Sequence, residues 1–158
     1  MLRPATAADL DALVALARHP DVAATLSTTA ADGLAEALDS GAGELLVIGR
    51  EGAVAGAVRW ELVNRRSRIA EIQTLMLDPA VRGQGLATAA VRELVARLVV
   101  AHGLHRIEAE VYGFNVPAQR VFERAGFVRE GLRRRAYDRA GGWQDGVRFG
   151  LLAEEFTR

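Results

Sequence analysis

The chain is most constrained by a loop with two glycines that joins its most apolar strand candidate to its strongest helix candidate. Ile69–Leu77 has the composition of a buried strand, and Asp78-Pro79 stops it. Residues 86–101 carry apolar side chains at helical spacing, which predicts a long amphipathic helix. A buried strand followed by a loop and a packed helix is typical of an α/β domain.

The loop itself, Arg82-Gly83-Gln84-Gly85-Leu86-Ala87, runs into the first turn of that predicted helix. Backbone N–H groups in a first helical turn have no helical partner and lie at the positive end of the helix dipole. Glycine lets the backbone approach a bulky anion and adopt conformations closed to other residues. We therefore expect a pyrophosphate-binding loop, although a simple strand-to-helix turn is the alternative.

The rest of the chain supplies further strands and helices. The hydrophobic pattern predicts strands at residues 2–5, 45–48, 54–62, 106–112, 127–135 and 147–152, and helices at residues 9–18, 31–38 and 115–124. A chain of 158 residues has the length of one domain, so residues 1–158 are expected to form a single unit. The order of the elements predicts a mixed α/β sheet with helices on both faces.

Two residue types are absent, and their absence excludes several kinds of chemistry. All 20 cationic side chains are arginine, and the chain contains neither lysine nor cysteine. It can form no lysine Schiff base, phosphate-loop lysine contact, thiolate metal site or acyl-enzyme on sulfur. The three histidines match no common zinc spacing, so no metal is expected. An acyl group would have to pass directly from donor to acceptor.

Net charge and hydropathy limit the kinds of partner and the cellular location that we expect. The formal net charge is zero, which favours neither nucleic acid nor a membrane surface as a partner. No apolar stretch is long enough to span a membrane, and the N-terminus lacks the apolar core of a signal peptide. These features predict a cytoplasmic protein.

A dinucleotide-binding fingerprint is a competing interpretation of the loop. Gly83 and Gly85 match its first two glycines, and Glu108 or Glu110 lies about the right distance downstream to hold a ribose. However, Thr88 stands where the third small residue belongs. Residues 78–82 also separate the strand from the glycines, where the fingerprint requires an immediate turn. The sequence therefore disfavours this interpretation.

Three blocks of sequence carry a resemblance to a known family. Glu71 through Pro79, followed by Arg82-x-x-Gly85-x-Ala87, resembles the acetyl-coenzyme A signature of the GNAT N-acetyltransferase superfamily. A second block resembles that family's Asn-x-x-Ala helix with its terminal Gly-Phe, and its matching residues are Asn115, Ala118, Arg120, Phe122, Glu123, Gly126 and Phe127. The stretch Gly142-Trp143-Gln144-Asp145 resembles the ribosomal-protein N-acetyltransferase branch.

This resemblance implies the acyl-CoA N-acyltransferase fold, with a mostly antiparallel central sheet and two strands that splay apart beside the loop. It implies that acetyl-coenzyme A binds as a co-substrate, with its pantetheine arm along the free backbone of Leu75-Met76-Leu77. The pyrophosphate would bind at the loop and the first helical turn, formed by Arg82, Gly83, Gln84, Gly85, Leu86, Ala87 and Thr88. Asn115 is expected to contact the pantetheine or the thiol, and Phe122 to lie beside them.

An amine attacks a thioester only when it is neutral. At pH 7 a lysine-type amine is neutral about once in 2,500 molecules and an α-amine about once in five to ten. A base is therefore needed, and the resemblance implies Glu71, which opens the strand expected to carry the thioester. An ordinary carboxylate is a weak base for an ammonium group, so Glu71 would act through water or with a raised pKa. A surface carboxylate with no role is the alternative.

The chain departs from the family at the expected general acid, because Phe122 stands where many members have tyrosine. Tyr112, Tyr137 or water are the remaining proton donors, and the sequence does not choose between them. A non-catalytic coenzyme A-binding module is therefore the alternative to an enzyme. The acceptor is an amine, either a peptide or protein N-terminus or a small molecule. The basic runs around Arg66 and Arg134 favour an acidic acceptor, and family members are often homodimers.

Overall fold

The computed structural model describes residues 1–156 and contains one seven-stranded sheet in the order β1-β2-β3-β4-β5-β7-β6. The strands are β1 (Leu2–Pro4), β2 (Gly43–Arg50), β3 (Ala53–Asn64), β4 (Ile69–Leu77), β5 (Arg106–Tyr112), β6 (Val128–Arg139) and β7 (Gly142–Leu152). All neighbouring strands are antiparallel except β4 and β5. The mixed, mostly antiparallel sheet is confirmed. The single domain stays a prediction, and its last two residues lie outside the described range.

Five helices cover the sheet: α1 (Leu10–Arg18), α2 (Pro20–Ala23), α3 (Ala30–Leu38), α4 (Leu86–Ala96) and α5 (Val116–Arg124). One hydrophobic cluster lies under α4 and α5, and a second lies under α1, α2 and α3. The expectation of helices on both faces is confirmed. Among residues 1–156, no helix is long and apolar enough to cross a membrane.

The predicted helix at residues 86–101 is present, but its last turn is π-helical. The α-helix ends at Ala96, and Arg97–Ala101 continues it with wider hydrogen bonding, so that the His102 N–H donates to the Arg97 carbonyl at 3.2 Å. Its apolar face is buried as expected, through Ala90, Val91, Leu94, Val95 and Leu98. This packing fixes the N-terminal end of α4, and with it the glycine loop, against the sheet.

Strands β4 and β5 separate part-way along their length. Their parallel pairing runs from Ile69↔Arg106 to Ile72↔Ala109 and then stops, although β4 continues to Leu77 and β5 to Tyr112. The rest of β4 stays paired with β3 on its other side. The two strands therefore open into a cleft, as the family resemblance implies.

A β-bulge at the start of this cleft changes which way β4 presents its side chains. Thr74 pairs with Arg59 and Ile72 pairs with Trp60, which leaves Gln73 as the extra residue. Ile72 and Met76 are four residues apart, yet Ile72 packs in the cluster under α4 and Met76 in the cluster under α1 to α3. The bulge thus places Glu71 and Thr74 on one face of the sheet, which the sequence pattern did not predict.

The C-terminal strands are longer than expected. The sequence predicts strands at residues 127–135 and 147–152, whereas β6 reaches Arg139 and β7 begins at Gly142. Most of β6 is exposed because it is the edge strand, so its sequence shows no alternation of apolar and polar residues. The short helix α2 was also missed, because four residues are too few to show a periodic pattern.

Candidate functional site

A cavity of about 830 Å³ lies where β4 and β5 separate. Its walls come from the segment before α3, from α3 itself, from β4, from the end of β5, from α5 and from β6. Four of the residues singled out from the sequence line it together, namely Glu71, Leu75, Asn115 and Phe122. The glycine loop does not line this cavity, so the expected site consists of two adjoining parts.

The first part is the glycine loop. Gly83 and Gly85 both have φ of +76°, a left-handed conformation that glycine adopts without strain. The first helical hydrogen bond of α4 runs from the Ala89 N–H to the Gly85 carbonyl at 3.0 Å. The N–H groups of Leu86, Ala87 and Thr88 therefore precede the hydrogen-bonded part of the helix, which is the arrangement suited to a phosphate oxygen.

The long side chains of the loop make contacts within the protein. Arg82 is exposed, and its Nη2 donates to the Asp21 carbonyl of α2 at 3.1 Å. The Gln84 Oε1 accepts a hydrogen bond from Arg50 at the end of β2. These contacts engage the two long side chains of the loop, so an anion at the loop would meet mainly its backbone.

The backbone of β4 connects the loop to the cavity. The Asp78 N–H donates to the Ala55 carbonyl at 2.8 Å, and a Cβ added at Gly56 would lie 2.1 Å from the Met76 carbonyl oxygen. Met76 and Asp78 thus direct their polar groups to β3, and the alternation of a strand directs those of Leu75 and Leu77 into the cleft. The Met76 side chain is buried in the hydrophobic cluster under α1 to α3.

Three carboxylates surround one arginine on the face of the sheet that leads into the cavity. The Arg148 guanidinium lies 3.9 Å from the Glu71 carboxylate, 3.3 Å from that of Glu108 and 3.9 Å from that of Glu110. Burial raises the pKa of Glu71, and the charge of Arg148 opposes that effect. A carboxylate with a raised pKa is a better proton acceptor than an ordinary glutamate.

Glu110 is the second carboxylate in the cavity wall, and the sequence did not single it out as catalytic. It lies one residue beyond the last β4–β5 pair, so it faces the cleft where the strands part. Its Oε1 is buried and accepts no hydrogen bond from the part of the chain that the structure describes. Its Oε2 accepts one from the Tyr137 hydroxyl. The Arg148 guanidinium lies 3.9 Å from the buried Oε1.

Tyr137 reaches Glu110 because β6 contains a wide bulge. Arg133 pairs with Gly146 and Tyr137 pairs with Gln144, so residues 134–136 lie opposite Asp145 alone. The Asp145 Oδ1 accepts the N–H of Arg135 at 2.8 Å, which holds the bulge in place. Burial, together with the hydrogen bond to Glu110, raises the pKa of Tyr137 to about 12. Its hydroxyl therefore stays protonated at neutral pH.

Comparison with known proteins identifies the family to which this architecture belongs. The family model described as the acetyltransferase (GNAT) domain matches residues 1–128. The chain belongs to the GNAT acetyltransferase family. This confirms the resemblance drawn from the two sequence blocks.

Curated relatives of this GNAT domain match less than half of its length. The probable N-acetyltransferase YjcK of Bacillus subtilis is 44% identical over 69 residues, which cover 44% of this chain and 38% of the relative. The uncharacterized N-acetyltransferase YokL, derived from the SPbeta prophage of the same organism, is 32% identical over 75 residues, covering 48% and 42%. These matches span about two-fifths of each relative's length.

Solved structures match the GNAT domain over almost its full length. Spermidine N-acetyltransferase from Vibrio cholerae, in complex with CoA and spermine, superposes with a TM-score of 0.86 and 22% identity, covering 99% of this chain and 96% of that one. Mycobacterium smegmatis RimJ in complex with CoA-disulfide gives a TM-score of 0.86 and 26% identity, covering 99% and 83%. The acyl-CoA N-acyltransferase fold is thereby confirmed.

Asn115, directly before α5, and Phe122, within α5, both line the cavity of the GNAT domain. The Asn115 Oδ1 accepts the Ala118 N–H at 3.3 Å, so this residue caps the helix. Phe122 is buried and packs with its ring centroid 5.2 Å from that of Phe127 and 5.8 Å from that of Phe149. Phe122 therefore belongs to the core as well as to the cavity wall, and it carries no proton to donate.

The charges of the cavity weigh against the expectation of an acidic acceptor. The lining contains two guanidinium groups, on Arg59 and Arg139, against five carboxylates, on Asp32, Glu36, Glu71, Glu110 and Asp138. The Arg59 side chain is paired with Glu61. The basic runs that prompted the expectation lie in the β3–β4 turn and in the β6 bulge, and none of their arginines lines the cavity. The wall instead favours a positively charged molecule.

Among residues 1–156, no group of three or more His, Asp or Glu side chains is arranged to hold a metal ion. The functional candidates that sequence reasoning missed are Glu110 and Arg148 as parts of the site, and the contact that places Tyr137 against Glu110. One signal was available in the sequence. Gly146 stands where any Cβ would lie 2.7 Å from the Glu110 Oε1, so a glycine in the middle of a strand marked the packing of that carboxylate.

Proposed function

We propose that this protein is an acetyl-coenzyme A-dependent N-acetyltransferase that moves the acetyl group directly to an amine. The observation that carries the proposal is the juxtaposition of three features in one cleft. These are the free amides at the start of α4, the unpaired edge of β4 and a cavity with two partly buried carboxylates at its wall. Membership of the GNAT family and the CoA complexes of the similar solved structures support it.

Acetyl-coenzyme A would bind as a substrate along the backbone. The pyrophosphate would lie against the amides of residues 82–88, at the positive end of α4. The pantetheine amides would pair with the cleft-facing backbone of Leu75 and Leu77, as an added strand. The Asn115 side-chain amide would contact the pantetheine or the thiol at the start of α5. The thioester would then lie between β4 and α5, near Phe122.

The reaction consists of one substitution at the acetyl carbonyl. The neutral amine forms the new C–N bond, the C–S bond breaks, and the electron pair leaves with the coenzyme A thiolate. The ammonium proton must leave the nitrogen, which costs about 4.6 kcal/mol for a lysine-type amine at pH 7 and about 1 kcal/mol for an α-amine. We assign Glu71 as the base, acting through water, because burial raises its pKa. Glu110 is the competing candidate because it lines the cavity and its Oε1 accepts no hydrogen bond from residues 1–156.

The leaving thiolate requires little help from the protein. A thiol with a pKa near 8.5 is a tolerable leaving group at neutral pH, so the replacement of a tyrosine by Phe122 is compatible with turnover. Tyr137 is the tyrosine in the cavity wall whose hydroxyl contacts a carboxylate, and its raised pKa keeps it a hydrogen-bond donor. We therefore place Tyr137 as the group that orients Glu110.

Before it loses its proton, the acceptor amine is a positively charged ammonium group. Five carboxylates in the cavity lining support a cationic acceptor. The ribosomal-protein branch resemblance favours a peptide or protein α-amine. The carboxylates and the fold of the Vibrio cholerae enzyme crystallised with spermine make a polyamine the second candidate. A cytoplasmic location and a homodimer stay predictions.

A screen of thiol release tests the proposal. Purified protein is incubated with acetyl-coenzyme A and one of four acceptor classes, which are a peptide with a free N-terminus, a polyamine, an amino sugar and a simple alkyl amine. We expect release of free thiol matched by an equal amount of acetylated amine with one class. If acetyl-coenzyme A raises the melting temperature but no amine is acetylated, the chain is the non-catalytic coenzyme A-binding module.

A further inference from the structure

One arginine at the acceptor end of the cavity contacts two other parts of the chain. The Arg139 guanidinium, at the end of β6, donates from Nη2 to the carbonyl oxygens of Ala23 at 2.9 Å and Ala24 at 3.3 Å. Its Nη1 donates to the carbonyl of Leu26 and, at 2.9 Å, to the hydroxyl of Tyr112. The guanidinium also lies over the Tyr112 ring, 5.1 Å from its centroid.

The carbonyls that Arg139 binds belong to the last residue of α2 and to the segment between α2 and α3. Residues 24–29, which we call the acceptor-side loop, contribute five consecutive cavity-lining residues, Thr25, Leu26, Ser27, Thr28 and Thr29. The helix α2 that precedes the loop is four residues long, so its last carbonyls need partners from elsewhere. Arg139 lies more than 110 positions later in the chain and makes hydrogen bonds that hold the loop from across the cavity.

We propose that Arg139 is a positioning residue for the amine acceptor, which it serves by holding the acceptor-side loop as a fixed wall of the cavity. The proposal rests on the function proposed above and adds the device that sets acceptor affinity. The hydrogen bonds of the Arg139 guanidinium all go to protein groups. Arg139 fixes the shape of the acceptor pocket and takes no proton in the reaction.

The chemistry of this link requires a guanidinium. Three carbonyls and one hydroxyl are satisfied by two nitrogens of one planar fork, and the face of the same group stacks on an aromatic ring. A lysine ammonium at the same position is a compact point charge and cannot reach the same set of oxygens with a fixed geometry. Arginine carries its charge at all physiological pH values, so the link does not depend on pH.

Leu26 is buried in the cluster under α1 to α3 and anchors one point of the loop. Without the Arg139 link the rest of the loop would gain freedom to move, and the acceptor would then have to order it on binding. That cost lowers acceptor affinity and leaves the glycine loop and the β4 backbone unchanged. For Arg139→Ala we expect the KM for the amine to rise about tenfold or more, the range that the loss of charged hydrogen bonds produces. The kcat and the KM for acetyl-coenzyme A should stay within about twofold.

The experiment measures both kinetics and local order in full-length wild type, Arg139→Ala, Arg139→Lys and Arg129→Ala. Arg129 is an exposed arginine of the same strand outside the cavity, so its variant should match wild type in both. Hydrogen–deuterium exchange should speed up in residues 24–30 of Arg139→Ala, with Arg139→Lys between the two. Arg139→Lys also keeps the test valid if the alanine variant fails to fold.

Three results would overturn the proposal. These are an unchanged KM for the amine in both Arg139 variants, an equal rise in the KM values of both substrates, and unchanged exchange in residues 24–30. A failure of the proposed function is distinguishable from these. If wild type acetylates no amine, the transferase assignment fails, and the exchange measurement still decides whether Arg139 holds the loop.

Discussion

The two parts of the site are built from different kinds of chemical group. On the side proposed to bind acetyl-coenzyme A, the groups that face the cleft are backbone amides and carbonyls of α4 and β4. On the acceptor side they are carboxylate, phenol and guanidinium side chains from β4, β5, β6 and β7. The first part lies within about twenty consecutive residues, from Ile69 to Thr88. The second needs strands far apart in the chain to meet.

This difference explains why one family can keep one donor and use many acceptors. A backbone site depends on conformation, which the two glycines and the end of a strand secure, and it tolerates many changes of side chain. A side-chain site changes its specificity with each substitution. Variants that act on one part should therefore affect one substrate, and the predictions below use that separation.

The largest expected effect comes from the carboxylates of the acceptor side. Glu71→Gln should lower kcat by about 10²–10⁴-fold with little change in the KM for acetyl-coenzyme A, because the shape is kept and the base is lost. The rate should partly recover at high pH. Recovery should begin about 2.5 pH units lower for an α-amine than for a lysine-type amine. Steady-state kinetics over pH with both acceptor types check this.

Two matched variants test whether Glu71 is the base. Glu110→Gln removes the other cavity-lining carboxylate that lies near Arg148, and Glu108→Gln removes the carboxylate that also pairs with Arg148 but does not line the cavity. We expect Glu108→Gln to cost much less than Glu71→Gln. If Glu71→Gln turns over normally at neutral pH and Glu110→Gln does not, Glu110 is the base.

The next effect is expected on the coenzyme side. Gly85→Val places a β-branched residue at φ +76° and a methyl-bearing Cβ beside amides that should face a pyrophosphate. The Kd for coenzyme A should rise roughly 10- to 100-fold, as expected for one or two lost charge-assisted hydrogen bonds. Calorimetric titration measures this change.

Gly103→Val is the control for backbone strain. Gly103 lies beyond the opposite end of α4, has φ of +62° and, like Gly85, has open space around its missing Cβ. Its variant should lose comparable stability and keep its coenzyme A affinity. Equal affinity losses in the two variants would show that strain, and not the proposed pyrophosphate contact, lowers binding.

The contrast between the two parts also accounts for what could be predicted from sequence. The β4–loop–α4 unit was predictable because its apolar strand, its glycines and its amphipathic helix are consecutive and each follows a local rule. Ile69–Leu77 and Arg106–Tyr112 have the predicted bounds, because both strands are buried on at least one face.

The acceptor side could not be predicted in the same way. The bulges at Gln73 and at residues 134–136 change which face a side chain occupies, and they depend on pairing with β3 and β7. The meeting of Glu71, Glu110 and Arg148 requires the register of three strands. A sequence pattern marks each of these residues as polar and leaves their distances undetermined.

A smaller effect is expected at the phenol that binds Glu110. Tyr137→Phe removes the hydroxyl and keeps the ring, so kcat should fall by about threefold to tenfold, the usual cost of one hydrogen bond to a charged group. The pKa of about 12 keeps Tyr137 protonated, so wild type should show no loss of activity from this group below about pH 11. A pH–rate profile of both proteins measures this. A fall of 10³-fold would make Tyr137 the general acid.

The smallest expected effect is on the stability of the protein. It arises because burying the Glu71 carboxylate on the acceptor side costs free energy of folding. Burial raises the pKa of Glu71 in the folded protein above its usual value of 4.5, so folding disfavours the ionised form. The resulting contribution to stability is present below pH 4.5 and is lost as the pH rises through the folded-state pKa.

Glu71→Gln should therefore be more stable than wild type at pH 7, and the two should be equal near pH 4. The Glu71 side chain is 28% exposed, so screening by solvent keeps the gain below about 1 kcal/mol. Thermal melts of both proteins at pH 4 and pH 7 measure it. A variant that is less stable at pH 7 would mean that the ion pair with Arg148 outweighs burial, and Glu71 would then be a structural carboxylate.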